Sequence, residues 1–98
     1  MKRGDIWTVA GGGEYTSKPR PAVILQSDQF DEIDSVTVCL VTSEEVGGFV
    51  ARILVRPTTE NGLQAPSYLM VDKITTLRRT RLGQRVGELS AEDMSRLA

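Results

Sequence analysis

Residues 18–25 read Lys18-Pro19-Arg20-Pro21-Ala22-Val23-Ile24-Leu25, an arginine between two prolines at the start of an apolar run. Each proline fixes its own φ near about −65° and biases the residue before it towards extended geometry. The run therefore predicts a β-strand that begins with a rigidly held cation. A phosphate suits the guanidinium fork of Arg20, and pairing with a surface carboxylate is an equally good interpretation.

The segment before this strand predicts a ligand-binding loop. Three glycines, Gly11–Gly13, are followed by the polar residues Glu14, Tyr15, Thr16 and Ser17. Glycines permit close approach of a ligand, and these polar side chains cannot build a core. Tyr15 adds an aromatic surface on which a nucleic-acid base can stack. A loop of this kind beside Arg20 favours an anionic ligand.

The length and composition of the chain limit which classes of protein it can belong to. At 98 residues the chain is expected to be one domain, 1–98, and to lie in the cytoplasm, without an apolar run long enough to span a membrane. Cys39 is the only cysteine and there is no histidine, which excludes disulfide frameworks, thiolate clusters and imidazole catalysis. We expect Cys39 to be a buried structural thiol, and we expect no metal and no cofactor.

Charge is segregated along the chain although the formal net charge is only −1. Residues 21–51 contain no basic residue, whereas residues 73–87 contain five and no acidic one: Lys73, Arg78, Arg79, Arg81 and Arg85. A polyanion could bind one face of such a molecule, because local potential governs steering. A simple solvated surface explains the same pattern equally well.

Hydrophobic alternation with a period of two predicts a mainly β protein. The expected strands are residues 5–10, 21–26, 35–42, 49–56 and 68–77, with a longer connection over residues 57–66 that contains the Asn61-Gly62 turn signal. Residues 79–83 are compatible with a helical turn or a tight turn. Ser90-Ala91-Glu92-Asp93 resembles a capping box and predicts a short helix from Ala91 to Ala98.

Five elements in order resemble the MazF/PemK family of toxin endoribonucleases. They are Arg3-Gly4-Asp5-Ile6-Trp7, Gly13-Glu14, residues 18–25, Leu40-Val41-Thr42-Ser43 and Val71-Asp72-Lys73-Ile74-Thr75-Thr76-Leu77. The resemblance covers almost the whole chain. It implies a small SH3-like β-barrel of the MazF/PemK/CcdB type with a terminal helix, and a homodimer. It also implies ribosome-independent cleavage of single-stranded RNA at short sequences and inhibition by a cognate, acidic, MazE-like antitoxin.

The resemblance also implies roles for three residues. Arg20 would balance charge on the phosphorane and Thr42 would donate a hydrogen bond to the same phosphate. By itself Thr42 reads as an ordinary β-branched strand residue. Asp72 matches an aspartate proposed as the base in some members, which carry an arginine where this chain has Met70. A structural carboxylate is the alternative for Asp72.

The RNA-binding residues expected from the loop, from the end of the third strand and from the basic segment are Glu14, Tyr15, Thr16, Ser17, Lys18, Ser43, Lys73, Arg78, Arg79 and Arg81. Two other functions stay open at this point. A CcdB-like toxin shares the general fold and binds DNA gyrase, which would make the arginines a protein-interaction surface. A catalytically silent relative would bind only RNA or an antitoxin.

Overall fold

A computed structural model gives the fold, and it describes residues 1–10, 19–26, 34–44 and 52–97. The predicted loop residues Glu14, Tyr15, Thr16, Ser17 and Lys18 therefore lie outside the described residues, as does Ala98. No helix within the described ranges is long and apolar enough to cross a membrane.

The described part of the chain forms one six-stranded sheet and one α-helix. The strands are β1 Asp5–Val9, β2 Arg20–Ile24, β3 Ser35–Thr42, β4 Ile53–Val55, β5 Ser67–Arg78 and β6 Leu82–Glu88, followed by α1 Ala91–Leu97. The sheet order is β4-β5-β3-β2-β1-β6, and the described pairings are antiparallel. The mainly β class with a short C-terminal helix is thus confirmed.

Alternation along the strands buries both faces of the sheet. One cluster contains Ile6, Val23, Cys39, Val41 and Leu69, and α1 covers it with Met94 and Leu97. The second cluster is formed by the intervening strand residues, among them Val9, Ala22, Ile24, Val36, Val38 and Leu77. Cys39 is fully buried, as expected for a structural thiol. Two faces that are both covered let a short chain build two small cores on one sheet.

The pairing of β3 with β5 contains a bulge. Cys39 pairs with Ile74, but Val41 pairs with Leu69 and Thr42 with Tyr68, so the register shifts between Cys39 and Val41. Continuation of the first register would have placed Thr42 opposite Val71. The extra residues of β5 accumulate opposite Leu40, and this changes which β5 side chains lie near the end of β3.

The connection over residues 57–66 is ordered by hydrogen bonds and close packing. Buried Asn61 accepts hydrogen bonds from the Thr58 and Leu63 backbone N–H groups at 2.9 Å each, and its Nδ2 donates to the Arg56 carbonyl at 2.9 Å. Gly62 has φ +67°, and a Cβ there would lie 2.2 Å from the Val86 carbonyl oxygen. The Glu88 N–H donates to the Glu60 carbonyl. These contacts dock the 57–66 connection onto β6.

Helix α1 begins as the capping-box pattern predicts. The Asp93 N–H donates to Ser90 Oγ at 3.0 Å. Arg96 reaches Asp93 at 3.0 Å and also donates to the Leu54 carbonyl at 3.1 Å, which ties the helix to β4. Because a helix of 7 residues is marginal alone, its packing through Met94 and Leu97 stabilises it.

The sequence did not predict β6. Residues 82–88 contain two glycines and only two large apolar side chains, Leu82 and Val86, which are too few to show strand alternation. The helical turn considered for residues 79–83 is a 3₁₀ turn at Arg79–Arg81. The other strand ends differ from the expected ones by at most two residues, and β4 is described only from Ile53, because residues 45–51 lie outside the described ranges.

Buried Asp5 makes stability depend on pH. Burial raises the pKa of Asp5, but the Lys2 N–H at 2.9 Å and Arg85 at 3.3 Å outweigh it and lower the pKa below its ordinary 3.8. A lowered folded-state pKa stabilises the fold above the unfolded-state pKa, and this contribution disappears as pH falls through the folded-state value. We expect Asp5→Asn to lower the free energy of unfolding at pH 7, with a gap to wild type that is smaller at pH 3. Urea unfolding at both pH values measures the gap, and an equal gap at both would contradict this assignment.

Candidate active site

A cleft of about 490 Å³ lies where β1, β2, β3 and the 57–66 connection meet. We call it the Arg20 cleft. Its first wall is Thr8 with Pro19, Arg20 and Pro21, and its second wall is the end of β3 and the residues after it, Val41–Glu44. Gly62–Ala65, with Ser67 and Val86, forms the third wall. Two predicted catalytic residues, Arg20 and Thr42, therefore share one cleft.

The backbone of Arg20 is held by the sheet, whereas its side chain is exposed. It is the first residue of β2, pairs through its backbone with Val9 of β1, and is exposed. No carboxylate of the described residues forms an ion pair with its guanidinium. Of the two interpretations that the sequence left open, this placement favours an anionic ligand over a surface ion pair. A guanidinium fork can bind two phosphate oxygens at once.

Thr42 ends β3 with its hydroxyl oriented by the following turn. The residue is 7% exposed, and the Glu44 backbone N–H donates to its Oγ1 at 3.1 Å. A hydroxyl has one hydrogen to donate and two lone pairs to accept with. Because Oγ1 already accepts from Glu44, its own hydrogen is available to a phosphate in the cleft. Ser43, a predicted RNA-binding residue, lines the same cleft.

Asp72 lies apart from the Arg20 cleft, whose lining does not include it. It lies at the β5 bulge, where Arg52 Nε approaches its Oδ1 at 3.4 Å. Desolvation raises the pKa of Asp72, while the hydrogen bond and the charge of Arg52 outweigh it and lower the pKa. Its charge is therefore engaged by Arg52, which suits the structural alternative for this residue.

The buried thiol of Cys39 is chemically unsuited to catalysis. Desolvation, with the nearby charge of Asp72, raises its pKa to about 11. Thiolate is the reactive form, so this group is protonated at neutral pH. Within residues 1–10, 19–26, 34–44 and 52–97, no group of three or more His, Cys, Asp or Glu residues is placed to hold a metal ion.

The predicted basic RNA contacts on β5 and on the 3₁₀ turn lie outside the lining of the Arg20 cleft. Lys73 and Arg78 are exposed on β5, and Arg79 and Arg81 belong to the 3₁₀ turn. Arg81 Nη2 donates to the Ala10 carbonyl at 2.8 Å, and the Ala10 N–H donates to the Arg81 carbonyl at 2.9 Å. The 3₁₀ turn thus lies at the end of β1, where the glycine-containing segment begins. None of these four basic residues lines the Arg20 cleft.

Sequence reasoning missed three contributions to this cleft. Thr8 lies at the cleft and accepts the Gln84 N–H at 2.9 Å. Glu44, an acidic residue, lines the cleft, although the sequence indicated only an acidic turn there. Residues 62–65 form the third wall. The Asn61-Gly62 signal marked a turn at that wall, but a turn signal does not indicate what the turn packs against.

Comparison with known proteins gives consistent matches over nearly the full chain. A probable endoribonuclease MazF from Mycolicibacterium smegmatis is 48% identical over 96 residues, which is 98% of this chain and 88% of that protein. The solved structure of Mycobacterium tuberculosis toxin MazF-mt6 superposes with a TM-score of 0.75 at 28% identity, covering 95% of this chain and 87% of that one. A mycobacterial endoribonuclease solved in complex with its cognate antitoxin has the same fold, with a TM-score of 0.70 at 18% identity and coverage of 99% and 84%.

The family model described as the PemK-like, MazF-like toxin of type II toxin-antitoxin systems matches residues 2–98. Its span includes each of the elements that carried the resemblance in the sequence. This chain belongs to the PemK/MazF toxin family.

Proposed function

We propose that this protein is a toxin endoribonuclease that cleaves single-stranded RNA at short sequences, without a ribosome, a metal ion or a cofactor. The observation that carries the proposal is the shared cleft, which Arg20 and Thr42 both line. The names of the relatives, probable endoribonuclease MazF among them, support the same activity. We also propose that residues 1–98 are a single domain that acts in the cytoplasm.

The chemistry follows from what RNA cleavage requires. The 2′-hydroxyl loses its proton and attacks the adjacent phosphorus, and the 5′-oxygen leaves with a proton. Negative charge builds on the phosphoryl oxygens in between, where Arg20 binds two of them and Thr42 donates to one. The products are a 2′,3′-cyclic phosphate and a 5′-hydroxyl. Arg20 is a poor base because a guanidinium does not lose its proton in a protein.

Asp72 takes a structural role in this proposal, because its contact with Arg52 and its absence from the cleft lining suit that role. The wider RNA path uses the ten residues expected from the sequence. Ser43 would contact RNA inside the cleft. The glycine-containing segment, through Glu14, Tyr15, Thr16, Ser17 and Lys18, would contact it beside Arg20. Lys73, Arg78, Arg79 and Arg81 would bind flanking phosphates.

The activity is tested by incubating the purified protein with a long RNA in EDTA and mapping the fragment ends. We expect discrete fragments with 2′,3′-cyclic phosphate and 5′-hydroxyl ends, in yields that EDTA does not change, because a guanidinium and a hydroxyl supply the charge stabilisation. Loss of cleavage in EDTA, restored by a divalent ion, would contradict the metal-free mechanism. If the RNA stays intact and the protein binds gyrase, the CcdB-like alternative is indicated. If the protein binds RNA without cleaving it, a catalytically silent relative is indicated.

We propose that the active form is a homodimer. Ile74 is 46% exposed on β5, between the charged Lys73 and the exposed Thr75. A chain of this length has little core to spare, and a second copy would cover such a side chain. Sedimentation at micromolar concentration is expected to show a dimer. A monomer that cleaves RNA at the full rate would contradict this.

The partner we propose is an acidic, MazE-like cognate antitoxin. The family is one of toxin-antitoxin systems, and Arg20, which pairs with no carboxylate of the described residues, suits the carboxylates of an acidic segment as well as a phosphate. A disordered tail that folds on binding would exclude RNA by occupying the cleft. Binding of the antitoxin should therefore protect Arg20 from arginine-specific modification and stop cleavage. An antitoxin complex that cleaves RNA normally would contradict the proposal.

A further inference from the structure

One of the residues that line the Arg20 cleft, Glu44, is acidic, and phosphate binding does not require an acidic residue. Glu44 lines this cleft with Arg20 and Thr42, and within the described part of the chain its carboxylate forms no ion pair. An unpaired negative charge beside a phosphate weakens RNA binding by Coulomb repulsion. Affinity for RNA therefore does not explain the presence of Glu44 in this cleft.

The local backbone holds Glu44 next to the reacting centre. Its N–H donates to Thr42 Oγ1 at 3.1 Å, so the two residues are joined in one short turn after β3. Residues two positions apart have Cα atoms no more than about 7 Å from each other. A phosphate bound to Thr42 thus lies within reach of the Glu44 carboxylate. The same turn fixes the backbone of Glu44, so its side chain begins close to the hydroxyl of Thr42.

Charge separation in the cleft suits two different tasks. Arg20 and Glu44 line one cleft, yet they do not form an ion pair with each other, which leaves both charges available to a ligand between them. The cation suits the phosphoryl oxygens, which gain negative charge during cleavage. The carboxylate suits the opposite task, the acceptance of a proton. Asp72, the base expected from the sequence, is engaged by Arg52 outside the cleft lining.

We propose that Glu44 is the general base of the cleavage reaction, an inference that rests on the proposed endoribonuclease function. The carboxylate takes the proton of the 2′-hydroxyl as the O2′–P bond forms. The P–O5′ bond then breaks and the leaving 5′-oxygen takes a proton from water, to which Glu44 returns its own. No atom is gained or lost by the RNA overall, since the cyclic phosphate and the 5′-hydroxyl together contain the atoms of the starting strand.

The test compares single-turnover cleavage by wild type and by Glu44→Gln over pH 6 to 8.5. A positioned general base contributes about 10² to 10⁴ in rate, so Glu44→Gln should slow cleavage on that scale at pH 7. Without the base, deprotonation depends on hydroxide, and the residual rate should rise about tenfold per pH unit. Wild type should vary much less over this range. The affinity for an uncleavable 2′-deoxy RNA should be unchanged or higher, because a repulsive charge has been removed.

The matched control is Glu60→Gln, the same change at an exposed carboxylate of the 57–66 connection that does not line the Arg20 cleft. It should cleave at the wild-type rate. A native rate and an unchanged pH profile for Glu44→Gln would overturn the assignment of the base, while cleavage by wild type would leave the proposed function intact. Absence of cleavage by wild type itself would instead overturn the proposed function.

Discussion

Replacement of Arg20 by alanine is expected to slow RNA cleavage by about 10² to 10³-fold, the scale seen when one transition-state donor is lost. The guanidinium lies in the Arg20 cleft with no ion-pair partner among the described residues, so its removal deletes a cation directed at the substrate. Because Arg20 is exposed, the free energy of unfolding should change little. Single-turnover cleavage and urea unfolding measure the two effects separately.

Three further variants test this prediction. Arg20→Lys keeps the charge but loses the bidentate fork, and it should restore little of the rate. Arg56→Ala removes an exposed arginine that does not line the cleft, and it should cleave normally. Thr42→Val, which keeps the shape and deletes the hydroxyl, should slow cleavage by less than Arg20→Ala. Cleavage by Arg20→Ala at the wild-type rate would show that Arg20 is not part of the active site.

Replacement of Asn61 by alanine is expected to lower the free energy of unfolding by about 3 kcal/mol, since each buried group left unpaired costs about 1–3 kcal/mol. The side chain is 3% exposed and satisfies the Thr58 N–H, the Leu63 N–H and the Arg56 carbonyl. These bonds hold the 57–66 connection against β6, so the third wall of the cleft should loosen as well. Urea unfolding measures the loss, and the cleavage rate should fall with it.

The matched control for Asn61→Ala is Thr59→Ala, an exposed position in the same turn. It should unfold at the wild-type urea midpoint. An Asn61→Ala variant with an unchanged midpoint would show that the hydrogen bonds of this side chain do not hold the connection in place.

Strand alternation and the motif residues were sufficient to predict most of the sheet and part of the site. Strand β3 has the expected bounds because its alternating Val36 and Val38 face one core while Cys39 and Val41 face the other. Proline geometry located Arg20 at the start of β2. Both properties are local, since neighbouring residues determine them, and a single sequence reports local properties well.

The features that the sequence did not predict depend on tertiary contacts. The bulge between β3 and β5 places Tyr68 rather than Val71 opposite Thr42. The register shift places Asp72 within the bulge opposite Leu40, and the lining of the Arg20 cleft does not include it. Strand β6 has no apolar alternation and is specified by its pairing with β1 and by the docked 57–66 connection. Glu44 read as a turn residue because only the fold brings its carboxylate to the cleft.

The central claim is that RNA bound in the Arg20 cleft is cleaved by attack of its own 2′-hydroxyl on the adjacent phosphorus. One substituted oligonucleotide tests this claim most directly. After the cleavage site has been mapped, the nucleotide on its 5′ side is replaced by the 2′-deoxy form, and single-turnover cleavage is measured in EDTA. Our account predicts that this oligonucleotide binds the protein but is not cut, while the all-RNA strand is cut to a 2′,3′-cyclic phosphate. Cleavage of the deoxy-substituted strand at the native rate would contradict the account.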